Sequence, residues 1–446
     1  MELVVFVVNS NNYYKTPENC SAPSLLDAIR SVFSHIPDHR TGTTKFTLAD
    51  ALMSGLAVFG LKYPSLLKFD EDQDEPIIRH NLKTLYGVDL APCDTQLREI
   101  CDPVNPIEIN PAFNRLHQSL RDQGLLKRYE YLDGRVLVSF DGTGQFSSNK
   151  LGCPQCCEKH HRNGATEYYH QLLGAVIIHP DLPQVLPFMP EAILKGDGDS
   201  KNDCERNASK RLLPRLKKDH PELRVIVVED ALSANGPHIG LLKSLSYSFI
   251  IGAKPAGNAY LFEQLDAGKK AGSTREIEVT DAQGVLHGYR FANGLGLNAT
   301  HPGMLVNMVE YWEAKGGKVQ NFSWITDIEI TPEKVSKIVR GGRARWKIEN
   351  ETFNTLKNQG YCLEHNYGHG EKNLATIFGV LTFLAFLVDQ IQALGCPLFK
   401  EAQDSRRTKV SFWDRLRTYV MAYFIEGWEE LWNRIINAKK PIIDTG

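Results

Sequence analysis

Three short apolar runs constrain this chain more than any other feature. Val136-Leu137-Val138-Ser139-Phe140, Arg224-Val225-Ile226-Val227-Val228 and Phe249-Ile250-Ile251-Gly252-Ala253 read as strands. Two further strand patterns lie between the first and second runs, from about Tyr168 to Ile178 and near Val185–Phe188. Helical patterns at about Asp203–Lys218 and 237–245 separate the later ones. The order is three strands, helix, strand, helix, strand. It predicts an α/β core with a mixed sheet, a meander first and parallel crossovers after it.

Around this core the pattern changes twice. Residues 256–328 break the alternation, and Glu276–Thr280, Gly288–Phe291 and Lys318–Trp324 alternate in the strand period, so this segment reads as a β-rich insertion. Helices resume at Pro332–Val339 and Ala344–Asn358, and 370–440 is helical and rich in Phe, Leu and Trp. Before the core, Thr47 caps a helix carrying Leu48, Ala51, Leu52, Leu56 and Phe59 on one face, with further helices near 76–86, 94–102 and 111–125. The expected organisation is a poorly ordered lead-in over 1–20, a helical region over 21–130, a catalytic α/β domain over 131–390 and a C-terminal helical region over 391–446.

Composition excludes several classes. A chain of 446 residues is too long for one ordinary core. Nine cysteines in a chain with a real core point to reduced thiols and the cytoplasm rather than a disulfide framework. The N-terminus is apolar but lacks a basic segment and a cleavage site. The longest apolar run, Leu374–Val388, falls short of the about 18 residues that suggest a membrane span, and reads as a buried core helix. A net charge of −2 gives no positive sign of nucleic-acid binding, although a local basic face would suffice for it. Asp141-Gly142-Thr143-Gly144 lacks the Lys-Ser/Thr of a phosphate loop, so no nucleotide cofactor is expected.

The chemistry sits at strand ends. Asp141 follows the first apolar run, and Glu229-Asp230 follows the second. Carboxylates delivered from neighbouring strands at their carboxyl ends can share hard divalent cations. Each Asp alone is equally well a turn residue. The third element is a helix that reads Arg345-Trp346-Lys347-Ile348-Glu349 and continues to Lys357. Arg345 and Glu349 are four apart and share a face, with Lys357 near it. A carboxylate between two cations suits a metal–phosphate site, and an ordinary salt-bridged face is the plain alternative.

Taken together, these residues resemble the bacterial insertion-sequence transposases of the DDE class, in the branch with a Tyr-Arg-Glu-Lys signature. The resemblance covers about 130–390. It implies an RNase H-like mixed-sheet catalytic core with a β-rich insertion between the second Asp and the Glu, flanked by N-terminal and C-terminal helical regions. It implies Asp141, Asp230 and Glu349 as the catalytic triad and as ligands of Mg²⁺ or Mn²⁺, with Arg345 and Lys357 on DNA. It also implies cleavage at element ends, transfer into target DNA without a covalent protein–DNA intermediate, and a homodimer on paired ends. This chain departs from the signature twice: Gly342 stands where the Tyr belongs, and Lys357 comes after seven intervening residues instead of six. Glu351 is a weaker alternative to Glu349, turned off its face. A metal-dependent nuclease without strand transfer, and a DNA-binding remnant without catalysis, remain as alternatives.

Three secondary signals complete the reading. Cys153, Cys156 and His160 form a candidate zinc set in the loop after the first strand, with His161, His170 or Cys204 as a fourth ligand. The alternative is a loop of reduced thiols and solvated histidines. The helix from Asp203 carries Arg206, Lys210, Arg211, Arg215, Lys217 and Lys218, a face that is either solvated or bound to phosphate. Thr95, Gln96 and Arg98 lie on a short helix after a turn, in the manner of a recognition helix or of a simple packing element.

Overall fold

The structure is a computed structural model that describes residues 20–198 and 201–438. The lead-in expected over 1–20 lies outside the described residues except for Cys20.

Eleven strands form one sheet. In chain order they are β1 (Val136–Ser148), β2 (Cys157–His160), β3 (Thr166–Ile178), β4 (Leu186–Pro187), β5 (Glu191–Ile193), β6 (Val225–Glu229), β7 (Ser248–Gly252), β8 (Arg275–Thr280), β9 (Leu286–Gly296), β10 (Leu305–Lys315) and β11 (Lys318–Thr326). The sheet order is β2-β3-β1-β6-β7-β11-β10-β9-β8, with β4 and β5 also on the outer side of β3. β1 and β3 are antiparallel, whereas β1, β6 and β7 run parallel. The mixed sheet predicted from the run order, meander then crossovers, is the one observed.

β6 is buried at every position and β7 at all but its last. Such near-continuous apolar strands need cover on both faces. Helices Lys201–Asp219 and Gly236–Ser244 make the crossovers. The third meander strand is weaker than the sequence pattern suggests: β4 has only two residues, and pairing resumes at β5. Pro183, Pro187 and Pro190 remove the backbone donors that a continuous strand would need.

The insertion does not stand apart from the core. β8–β11 form an antiparallel meander, and β11 pairs with β7 through Trp324↔Gly252, Ile325↔Ile251 and Thr326↔Ile250, so one sheet runs through both. Two of its elements escape the sequence reading. Ala259–Ala271 is a helix, and β10 is a full strand between the second and third of the three that the alternation marks. The boundary of the α/β domain drawn at 390 also falls inside a continuous helix, Leu374–Gly395.

The terminal helical segments pack on each other. Leu374–Gly395 has 22 residues, long and apolar enough to cross a membrane by length and composition, and it is buried in the fold along nearly all of its length. It packs against Leu48–Gly60, whose N-cap Thr47 accepts from Asp50 N as the sequence predicts. Asn81 donates from Nδ2 to the carbonyls of Val420 (2.7 Å) and Tyr423 (2.8 Å), and Trp428 Nε1 donates to Leu85 O (2.9 Å). At the centre of this body Lys62 is 0% exposed. Its ammonium donates to Asp389 Oδ2 at 2.7 Å and to Gly60 O at 2.9 Å, and lies 4.2 Å and 4.1 Å from the ring centroids of Tyr361 and Trp413. Tyr361 donates its hydroxyl to the same Asp389 oxygen.

Removing one partner of a buried ion pair leaves the other charge without compensation. Asp389→Ala is therefore expected to cost about 3–5 kcal/mol in urea denaturation, and pairing it with Lys62→Met should return a large part of that loss. An unchanged midpoint in the single variant would show that the pair does not hold the two helical segments together.

Candidate active site

β1 does not end at Asp141, as its apolar run suggests. Its pairing with β6 stops at Ser139↔Val228, but its pairing with β3 continues to Ser148↔Tyr168. Asp141 thus sits where β1 loses one neighbour and keeps the other. The parallel register has a constant offset, Val136 with Val225 through Ser139 with Val228. Carried two residues further, that offset sets Asp141 level with Asp230 on adjacent strands. Both side chains line one pocket, with Glu205 and Arg206 at its rim.

The two acids that end β6 take different roles. Glu229 is buried, and His238 Nε2 lies 2.5 Å from its Oε2. Burial disfavours the charged imidazole, but the charge and hydrogen bond of Glu229 prevail and raise the His238 pKa. Asp230 is exposed, and its Oδ1 accepts from Leu232 N at 2.9 Å. The turn-capping role that the sequence allows for Asp230 is therefore real, and its side chain still faces the pocket.

Glu349 arrives from a broken helix. Val335–Arg343 is α-helical, a turn intervenes at Ala344 and Arg345, and Ile348–Phe353 is π-helical before Asn354–Asn358 returns to α. The single helix expected over Ala344–Asn358 is therefore not regular. Ser139 Oγ donates to Arg345 O at 3.4 Å, which sets the turn onto β1 beside Asp141. Gly174, the β3 partner of Asp141, leaves room for the Phe353 ring, which would lie 3.0 Å from a Cβ at that position. The helix of Glu349 can thus lie flat on the sheet at the level of Asp141.

Arg345 joins the two carboxylates. It is 14% exposed, and its Nη1 lies 2.8 Å from Glu349 Oε1 and 3.3 Å from Asp141 Oδ2. The Asp141 carboxyl is pushed up to about 7: burial is the main cause, Arg345 opposes it, and the charges of Glu349 and Glu205 add to it. Glu205 is a site acid that the sequence does not single out. No motif spacing marks it, because a separate helix delivers it. A group of hard carboxylate oxygens crowded around one guanidinium is a donor set that fits divalent cations. The carboxylates do not converge on a single point. Asp141 and Glu349 meet through Arg345, while Asp230 caps its own turn across the pocket.

The structure does not bring Lys357 to the carboxylates: its ammonium pairs with Glu364 Oε1 at 2.7 Å. Glu351 lies on the same π turn as Glu349 and is half-buried.

A wide cleft opens from Asp230 toward the insertion, lined by Lys254, Trp312, Phe322, Trp324, Arg343 and Trp346. Trp346 is 52% exposed, with the Arg345 guanidinium 4.6 Å from its ring centroid. Phe322 and Trp324 stack at 5.9 Å with their planes 13° apart. Sequence periodicity marks Trp324 only as a strand residue. The pairing of β11 with β7 is what brings it to the site.

The helix with the basic face and the short N-terminal helix both make contacts within the fold. Arg211 bonds to Glu191 and Asp197, and Arg215 bonds to Glu191, which ties the helix to β5. Arg98 donates to Tyr367 O at 3.1 Å and pairs with Asp94, while Thr95 and Gln96 are exposed. Of the expected zinc ligands, Cys153 and Cys156 come together but His160 does not. His160 is 74% exposed, with Nδ1 3.1 Å from Thr166 Oγ1, because β2 turns it outward at the sheet edge. His161 pairs with Glu167, and Cys204 donates to Gly198 O. His170 alone of the fourth-ligand options joins the cysteines, and His369, which no local spacing marks, joins them too.

Gly342 has no room for a side chain. A Cβ there would stand 2.5 Å from Trp324 Nε1, so the indole from the insertion fills the space a side chain would need. Gly-to-Ala inside a helix ordinarily stabilises by about 1 kcal/mol. Here Gly342→Ala is expected to destabilise by about 1–3 kcal/mol through overpacking. Chemical denaturation should show this loss shrinking in a Trp324→Leu background. An equal loss in both backgrounds would show that the indole is not the cause.

No protein-family model matches the chain, and no curated protein sequence matches it. Among solved structures, the chain is similar to the cryo-EM structure of a piggyBac transposase synaptic complex with hairpin DNA. That similarity is at 10% identity, covers 96% of this chain and 83% of that one, and has a TM-score of 0.42. A likeness at that level carries no argument about activity, so function has to be read from the site.

Proposed function

We propose that the chain is a DNA transposase of the DDE class, with an RNase H-like core that carries out divalent-metal-dependent cleavage and strand transfer. The observation that carries this reading is the register of β1 on β6. It levels Asp141 with Asp230 at the point where the parallel pairing ends, with Glu349 held against Asp141 by Arg345. The order of β3, β1, β6 and β7, with its antiparallel first pair and parallel later pairs, supports the RNase H-like assignment.

Asp141 stands between the other two acids, which suits a carboxylate shared by two cations, with Asp230 and Glu349 each completing one side. When bound, a pair of Mg²⁺ or Mn²⁺ ions supplies the charge that activates a water or a DNA 3′-hydroxyl and stabilises the leaving 3′-oxygen. Arg345 orients Glu349 and offsets part of the negative charge of the acids. Because it is mostly enclosed, its first role is to position them rather than to grip the DNA backbone. Lys254 is exposed in the adjoining cleft and is placed for phosphate, Arg343 is exposed there but pairs with Glu313, and the exposed ring of Trp346 offers a stacking surface for an unpaired base. Lys357 can reach a phosphate only by leaving Glu364. Pairing of two element ends would bring two copies of the chain together on DNA.

The test is a cleavage assay on DNA carrying the ends of the host element, with and without Mg²⁺. Nicks that leave 3′-hydroxyls and then join a second DNA are expected. Asp141→Asn, Asp230→Asn and Glu349→Gln should each lose more than the about 10–100-fold that loss of an outer-shell partner costs, with end binding retained. Undiminished cleavage by Glu349→Gln would remove that residue from the site. Metal-dependent nicks that never join a second DNA would make the protein a nuclease, and end binding without cleavage would make it an inactive remnant.

A further inference from the structure

A second cluster of metal-ligating atoms lies away from the carboxylates, and the proposed reaction does not use it. Cys153 and Cys156 sit in the loop between β1 and β2, His170 is on β3, and His369 is in the irregular segment before Leu374–Gly395. Their four ligand atoms all lie within 4.8 Å of one another. The two sulfurs are 3.4 Å apart, and His170 Nε2 is 3.2 Å from Cys153 Sγ and 3.3 Å from Cys156 Sγ. His369 Nδ1 is 3.4 Å from Cys156 Sγ.

From this geometry we infer that Cys153, Cys156, His170 and His369 bind one structural zinc ion. A tetrahedral zinc, with Zn–S of about 2.3 Å and Zn–N of about 2.0–2.1 Å, spaces its ligand atoms about 3.4–3.8 Å apart. The observed edges need only open by a few tenths of an ångström. Two thiolates and two imidazoles form a closed set with no open position, which marks a structural rather than a catalytic ion. Cys153 N donates to Cys156 Sγ at 3.3 Å, which holds the loop closed around the two sulfurs. Cys156 and His170 are buried, and the Phe146 ring covers the cluster, with its centroid 5.4 Å from that of His170 and 4.6 Å from that of His369.

The ligands come from three segments. One is the β1–β2 loop, just beyond the stretch of β1 that carries Asp141. The second is β3. The third follows the helix of Glu349 and is fixed on its other side by Arg98 on Tyr367 O and by Asp102, which accepts from the backbone of Glu371, Lys372, Asn373 and Leu374. The ion would therefore pin the extended β1–β3 ribbon to the helical body. This does not depend on the reaction assigned to the carboxylates.

The test is metal analysis of the full chain, purified under reducing conditions from zinc-supplemented cells. About one zinc per chain is expected after gel filtration, with a thiolate-to-cobalt charge-transfer band and tetrahedral d–d bands on cobalt substitution. His369→Gln and Cys156→Ser should lose the ion. His160→Ala should keep it, and so should Asp141→Asn, which distinguishes this site from the carboxylates. If the ligand variants do not fold, titration of the wild-type thiols with a mercurial should release zinc to a chromogenic chelator in step with two thiols. No zinc in the wild type, retention of the cobalt spectrum by His369→Gln, loss of zinc in Asp141→Asn, or a Cys153–Cys156 disulfide in the purified protein would each overturn the assignment.

Discussion

The site depends on β1 having two different neighbours. Its first half is locked between β6 and β3, and its second half is held by β3 alone. Backbone hydrogen bonding on both sides makes the register of Asp141 against Asp230 a property of the sheet rather than of a flexible loop. A slip by one residue would turn Asp141 to the other face and put Phe140 in its place. The continuous ladders, Val136–Ser139 on β6 and Leu137–Gly144 on β3, hold that register.

The third acid needs a different device, because it comes from a helix more than a hundred residues further along the chain. A regular helix over the whole segment would carry Glu349 past the sheet at one fixed angle. Instead the turn at Ala344–Arg345 re-aims the chain, Phe353 packs over Gly174, and Ile348–Phe353 winds as a π turn. Arg345 then binds Asp141 and Glu349 together, which limits the repulsion that crowding brings. The insertion takes part through Trp324, which fills the space beside Gly342 and forms one wall of the cleft. It can do so only because β11 continues the core sheet across β7.

Behind the sheet, the N-terminal and C-terminal helices form one body around Lys62 and Asp389. A charge that deep persists only with a partner, and here the partner lies more than three hundred residues away in the chain. The Cys/His cluster joins that body to the sheet from the other side. Together these contacts frame the β1–β3 ribbon on which Asp141 sits.

Much of this was legible in the sequence. The apolar runs gave the strand order and the mixed sheet, Thr47 marked a helix start, and acids after two of the runs, with a Glu between cations, named Asp141, Asp230 and Glu349. These are local signals, since a strand, a cap or a short helical motif is written within a few residues. The sequence could not show Glu205 beside Asp141, His369 beside Cys156, Trp324 against Gly342, or the exclusion of His160 from a cluster only a few residues away. Each is a meeting of segments distant in the chain, or the choice of a face by sheet pairing. Which distant residues meet is decided by how apolar faces pack and strands register, and no local spacing records that.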